Sequence, residues 1–197
     1  MAEHIFYAAQ GVRIPDLMDV HSAYEMEKNE NGWLFTVVLD APRIPAFLND
    51  YCAILPQPGY FTLELPIEGE EAYDIYYVDG CTTPVLQAIV DCYGDLLVAD
   101  GYVRFGFAAH EKPEQLYVSD LKTIQIYTAN EKPVADLLQK YDLIAEPCCK
   151  KLWDILSDKN PCELIHVEVE EQSIFDLPAL LADAGIYSAG RRPGEKE

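Results

Sequence analysis

The chain has 197 residues and a formal net charge of −20, from 34 acidic and 14 basic side chains. So few lysines and arginines argue against a nucleic-acid lattice or an anionic bilayer as partner, because both are bound by basic side chains. Half of the residues are hydrophobic and 24% are charged, which is the composition of a packed domain and not of a disordered chain.

The length suits a single globular domain over residues 1–187, with a possible internal subdivision near 95–101 and a polar C-terminal tail over 188–197. The first ten residues lack a cationic region followed by an apolar stretch, so no secretory leader is expected. The longest apolar runs, such as residues 33–39, fall short of the ~20 residues a membrane helix needs. The six cysteines (Cys52, Cys81, Cys92, Cys148, Cys149 and Cys162) form no C-x-x-C pair. Reduced thiols in a cytoplasm account for them better than zinc or disulfides.

In chain order, the polar stretch 25–31 reads as a loop and residues 33–39 as a strand. Residues 45–54 read as a short helix, with Phe47, Leu48, Tyr51 and Cys52 on one side. Residues 60–67 alternate, with Phe61, Leu63, Leu65 and Ile67 on one face. The acidic turn Glu68-Gly69-Glu70-Glu71 then leads into a partner strand over 72–78, an antiparallel hairpin. Thr83 as N-cap and Pro84 at the first helical position open the clearest helix, which ends at Gly94 or continues to Ala99. Residues 102–107 read as a central strand, and 116–118 and 123–128 as two more. Asn130 caps a helix over 131–141, whereas 151–156 fits helix or strand equally. Residues 163–169 alternate strictly, and a short helix capped by Asp176 closes at Gly185. Hairpin-like strand pairs interrupted by single helices predict an α+β fold, a largely antiparallel sheet with several short helices packed mainly on one face.

Catalytic motifs are missing from this pattern. There is no G-x-G-x-x-G, no P-loop and no G-x-S-x-G, and no cofactor is expected. Strand alternation would put His166, Glu168 and Glu170 on one face, ~6.5–7 Å apart at successive positions, a spacing open to a divalent cation. A solvated sheet face gives the same pattern. Arg104 sits in the most apolar strand with Tyr102 on its own face, suited to reading a carboxylate or phosphate. An ion pair with a nearby acid such as Asp100 is the plainer reading of Arg104, and His110 follows the same strand. Among 13 tyrosines, Tyr73 and Tyr77 share a strand face, as aromatic residues of a protein-binding surface or of ordinary β-structure do.

The expected function is a non-enzymatic module that engages a basic protein partner through an acidic, tyrosine-rich surface, in the manner of an immunity protein or antitoxin. The alternatives are a small metal-dependent or hydrolytic enzyme using a His/Glu or Arg/His site, and a structural subunit of an assembly. Oligomeric state is not legible in the sequence.

Overall fold

The computed structural model describes residues 5–193. Its centre is a nine-stranded sheet built from β2 (Ala23–Asn29), β3 (Gly32–Val38), β4 (Gly59–Pro66), β5 (Ala72–Cys81), β6 (Arg104–Ala109), β7 (Gln115–Val118), β8 (Ile124–Thr128), β9 (Ile144–Ala145) and β11 (Tyr187–Pro193). The spatial order is β11-β5-β4-β6-β7-β8-β3-β2-β9, antiparallel throughout except for the β2–β9 pair. Two further strands, β1 (Val12–Arg13) and β10 (Glu163–Leu164), form a small separate ribbon. The helices are α1 (Ile44–Ile54), α2 (Thr83–Ala99), α3 (Glu131–Lys140) and the single turn α4 (Leu177–Leu180). This is the α+β architecture expected from the hairpin pattern. Among the described residues no helix is long and apolar enough to cross a membrane.

Alternation decides which face is covered. Phe61 and Leu63 of β4, Phe105 and Phe107 of β6, and Ile124 and Ile126 of β8 are fully buried beneath the helices. Their register partners continue the same face, Phe61 opposite Phe107 and Phe35 opposite Ile126. Phe47 and Leu48 of α1, Leu86 and Val90 of α2, and Val134 and Leu138 of α3 close the core from the other side. Gly94 lies inside α2 and not at its end, and a side chain on it would press on Pro45 of α1 at 3.3 Å.

Several expectations about the elements are corrected. Residues 25–31, read as a loop, belong mostly to β2, where Met26 to Asn29 are exposed and Glu25 is half-buried against Lys151. The N-cap of α2 is Thr82, one residue before Thr83. Residues 151–156 hold a 3-10 turn over Leu152–Ile155. In the alternating stretch 163–169 exposure alternates from Ile165 to Val169, but Leu164 packs against the core and only Glu163–Leu164 pairs as strand. The stretch expected as a polar tail from residue 188 forms the edge strand β11 through Pro193, while residues 194–197 and His4 lie outside the described residues. At the region 95–101 α2 ends at Ala99, and β2 to β5 before it share one sheet with β6 to β9 after it.

Beside that end, three backbone segments meet at two glycines. Gly11 donates to the Ala99 carbonyl at 2.7 Å, Gly101 donates to Ile165 at 3.0 Å, and Ile165 donates back to Gly11 at 2.9 Å. A Cβ on Gly101 would stand 2.1 Å from the Gly11 carbonyl oxygen. Gly101→Ala should therefore cost about 1–3 kcal/mol, the usual price of overpacking, in urea unfolding. A loss near zero would mean that this junction is loose.

Candidate functional site

The face of the sheet opposite the helices carries a different chemistry. Register puts Glu64 of β4 beside Arg104 of β6, Pro66 beside Tyr73 of β5, and Tyr117 of β7 beside Gly106. Strand pairing alone thus assembles a patch of tyrosines and charges near the middle of the sheet. The segment between β9 and β11 folds over part of this face and leaves a cleft of 1580 Å³. Tyr73, Arg104, Tyr117 and Gln125 line it from the strands, Glu68, Glu70 and Glu71 from the β4–β5 turn, and Trp153, His166 and Phe175 from the covering segment.

Arg104 is the charged centre of the cleft. Its Nη2 donates to Asp120 at 2.8 Å, and its guanidinium lies 4.4 Å over the Tyr73 ring. Burial opposes the charge, but the hydrogen bond and the charge of Asp120 outweigh it and raise the pKa above its ordinary value. The ion pair anticipated for Arg104 exists, with Asp120 in place of Asp100. The Nε of Arg104 and the Oγ of Ser119 are buried without a partner. Glu64, 4% exposed, accepts from the Tyr117 hydroxyl at 3.1 Å and faces Arg192 of β11 at 3.3 Å. Burial first, and then the charge of Glu64, push the Tyr117 phenol up, so it stays protonated and donates.

Asp100 does something else. It is fully buried and gathers four donors. Its Oδ1 accepts from the backbone of Tyr102 and Val103, at 2.9 and 3.1 Å. Its Oδ2 accepts from His166 Nδ1 at 2.9 Å and from the backbone of Val167 at 3.1 Å. A carboxylate only accepts, so Nδ1 carries the proton and the second ring nitrogen is left as the polar atom of a cleft-lining imidazole. The ring stacks on Tyr102 at 4.6 Å and meets Phe175 edge-on at 5.0 Å. An imidazole held by a carboxylate is suited to proton transfer and equally to holding a loop in place.

Tyr73, Tyr102, Arg104 and His166 therefore meet in one cleft. His110 and Tyr77 do not join them. They belong to a second cluster on the same sheet face, where His110 Nε2 lies 3.5 Å from Asp79 and its ring 5.0 Å from Tyr60, which in turn meets Tyr77 edge-on at 5.8 Å. Glu168 and Glu170 do not assemble with His166. The backbone turns at Glu170, where φ is +51°, and among the described residues no group of three or more His, Cys, Asp or Glu side chains is placed to hold a metal ion. All six cysteines are free thiols.

Sequence reasoning named Asp100 only as a candidate partner of Arg104, and it missed Asp120, Lys122 and Glu64. Only Glu64 left a signal, as a carboxylate on the polar side of an alternating strand. No family model matches the chain, and neither a curated protein nor a solved structure matches it.

Proposed function

We propose that this protein binds a basic polypeptide segment in the cleft on the face of its sheet opposite α1, α2 and α3, and so masks a basic protein partner in the manner of an immunity protein or antitoxin in a reducing cytoplasm. The observation that carries the reading is the composition of the cleft. Five aromatic rings (Tyr73, Tyr102, Tyr117, Trp153 and Phe175) stand beside the carboxylates of Glu68, Glu70 and Glu71. Aromatic anchors supply contact area, and carboxylates with ring faces attract lysine and arginine side chains. A net charge of −20 steers such a partner and repels nucleic acid.

At 1580 Å³ the cleft exceeds the ~300–1000 Å³ of small-molecule pockets. That favours a polypeptide occupant over an enzyme using His166 as a proton carrier.

The test is a titration with a fluorescein-labelled peptide of alternating arginine and aromatic residues. Affinity should fall roughly tenfold between 50 and 300 mM salt as the attraction is screened. Reversing the rim with Glu68→Lys, Glu70→Lys and Glu71→Lys should weaken binding by about 30-fold. The control reverses three exposed acids elsewhere, Glu30, Asp95 and Glu131. Equal losses in the two triple variants would refute a cleft-bound peptide and leave only a diffuse charge effect.

A further inference from the structure

Apart from the two-residue β9, β11 is the only strand of the nine with every residue exposed. It ends the sheet at β5, and none of its residues joins the hydrophobic core. Apolar burial, the main stabilising term in folding, therefore hardly holds it. A backbone ladder to β5 holds it instead, together with a set of charge contacts made by its exposed arginines. Arg191 Nε donates to Asp74 at 3.0 Å, with Glu70 at 3.7 Å from its guanidinium. Arg192 faces Glu64 across 3.3 Å. The Tyr187 hydroxyl donates to Asp79, and its ring packs 6.1 Å from Tyr77. The exposed ion pairs of Arg191 contribute little and fade with salt, which leaves the reach of Arg192 to the buried Glu64 as the firmer charge contact. The ladder also breaks register between Ser188 and Gly190.

A basic, tyrosine-led strand thus lies along an acidic, tyrosine-bearing edge of a strongly acidic protein. Resting on the binding role proposed above, we infer that β11 is a resident stand-in for the partner, and that a basic extended segment of the partner protein displaces it and pairs with the edge of β5. Backbone hydrogen bonds give strand addition its affinity, and alternate side chains give it selectivity. The observed register sets what the incoming strand needs: cations opposite Asp74 and Tyr73, and an aromatic ring opposite Tyr77. Tyr73 and Glu70 also line the cleft, so the exposed edge and the cleft form one continuous surface.

Two measurements test this. Hydrogen exchange on the unaltered protein should show β11 amides exchanging at least ~100-fold faster than those of the central strands β4 and β6, as for a locally opening segment. The second probe is a labelled peptide with the sequence of residues 186–193, titrated against the full chain carrying Arg191→Glu and Arg192→Glu. Loosening the resident strand should make the peptide bind about tenfold tighter than it binds the unaltered protein, the scale of two or three surface ion pairs. Glu64→Gln with Asp74→Asn in the same background should remove that gain. Exchange of β11 as slow as that of β4, or equal peptide affinity for both proteins, overturns the inference. So does formation of dimers in place of peptide uptake, which would assign the edge to a second copy of this chain. Neither measurement uses the arginine–aromatic peptide of the cleft test, so failure of that reading and failure of this one are told apart.

Discussion

Replacing Asp100 by alanine should lower the unfolding free energy by about 3–5 kcal/mol, the range seen when a buried, hydrogen-bonded charge is removed from its partners. The carboxylate is fully buried and serves four donors, three of them backbone N–H groups of Tyr102, Val103 and Val167. Alanine leaves those groups without an acceptor where water does not reach, and it frees the His166 ring from its orienting bond. For a chain of this size the loss corresponds to roughly 10 °C in Tm. Asp100→Asn should fall between, since its amide keeps one acceptor oxygen but turns a donor toward the donors that Oδ2 now serves. Urea and thermal unfolding of the two variants decide the matter. A loss below about 1 kcal/mol in Asp100→Ala would show that another contact pins the 165–167 segment to the sheet.

The second large effect lies at Lys122, and its signature is a dependence on pH. The side chain is 4% exposed, sits at φ +58°, and donates from Nζ to the Val103 carbonyl at 2.8 Å. Burial drives the amine down to a pKa of about 7, against the upward pull of Asp100 and Asp120 and with help from Arg104. In the unfolded chain the amine keeps its proton up to the ordinary value of 10.5. Between these values the unfolded state binds more protons, so stability must rise with pH. The cost of the buried charge is complete at and below pH 7 and vanishes as pH approaches 10.5. Lys122→Met keeps the length of the side chain and removes the titration. The variant should gain on the unaltered protein at pH 7, and that relative advantage should shrink by on the order of 3 kcal/mol by pH 10. Paired urea curves at one-unit pH steps measure the difference and cancel the titration of tyrosines and cysteines common to both. A difference that stays flat with pH would show that the amine remains charged in the fold.

These two groups show why the core of the site was hard to read. Phe61, Leu63 and Leu65, or Phe105 and Phe107, announce their face by alternation, since a strand buries every second side chain. Asp100 carries no such mark. It follows a helix and precedes a glycine, the ordinary place of a turn residue, and its partner His166 lies 66 positions away. Lys122 likewise reads as a surface lysine in a tight turn until Val103 is seen to lie behind it. The row His166, Glu168, Glu170 failed for the opposite reason. Its alternation is real in exposure, but the segment pairs with β1 for two residues only and then turns, so the regular spacing of a long strand never applies.

Periodicity and turn chemistry settled what is local: the strands from β3 to β8, the three long helices, the hairpin at Glu68-Gly69-Glu70-Glu71, and the acid excess that rules the exterior. Arg104 was visible as a charge in an apolar strand, and Tyr102, Tyr73 and His166 as single candidates on strand faces. Their convergence on one cleft was decided by register, Glu64 against Arg104 and Pro66 against Tyr73, and by the chain crossing back to set His166 on Asp100. Register belongs to pairs of strands and not to any single stretch of sequence. A buried carboxylate takes its meaning from the donors brought to it, which is why the fold had to close before the site existed.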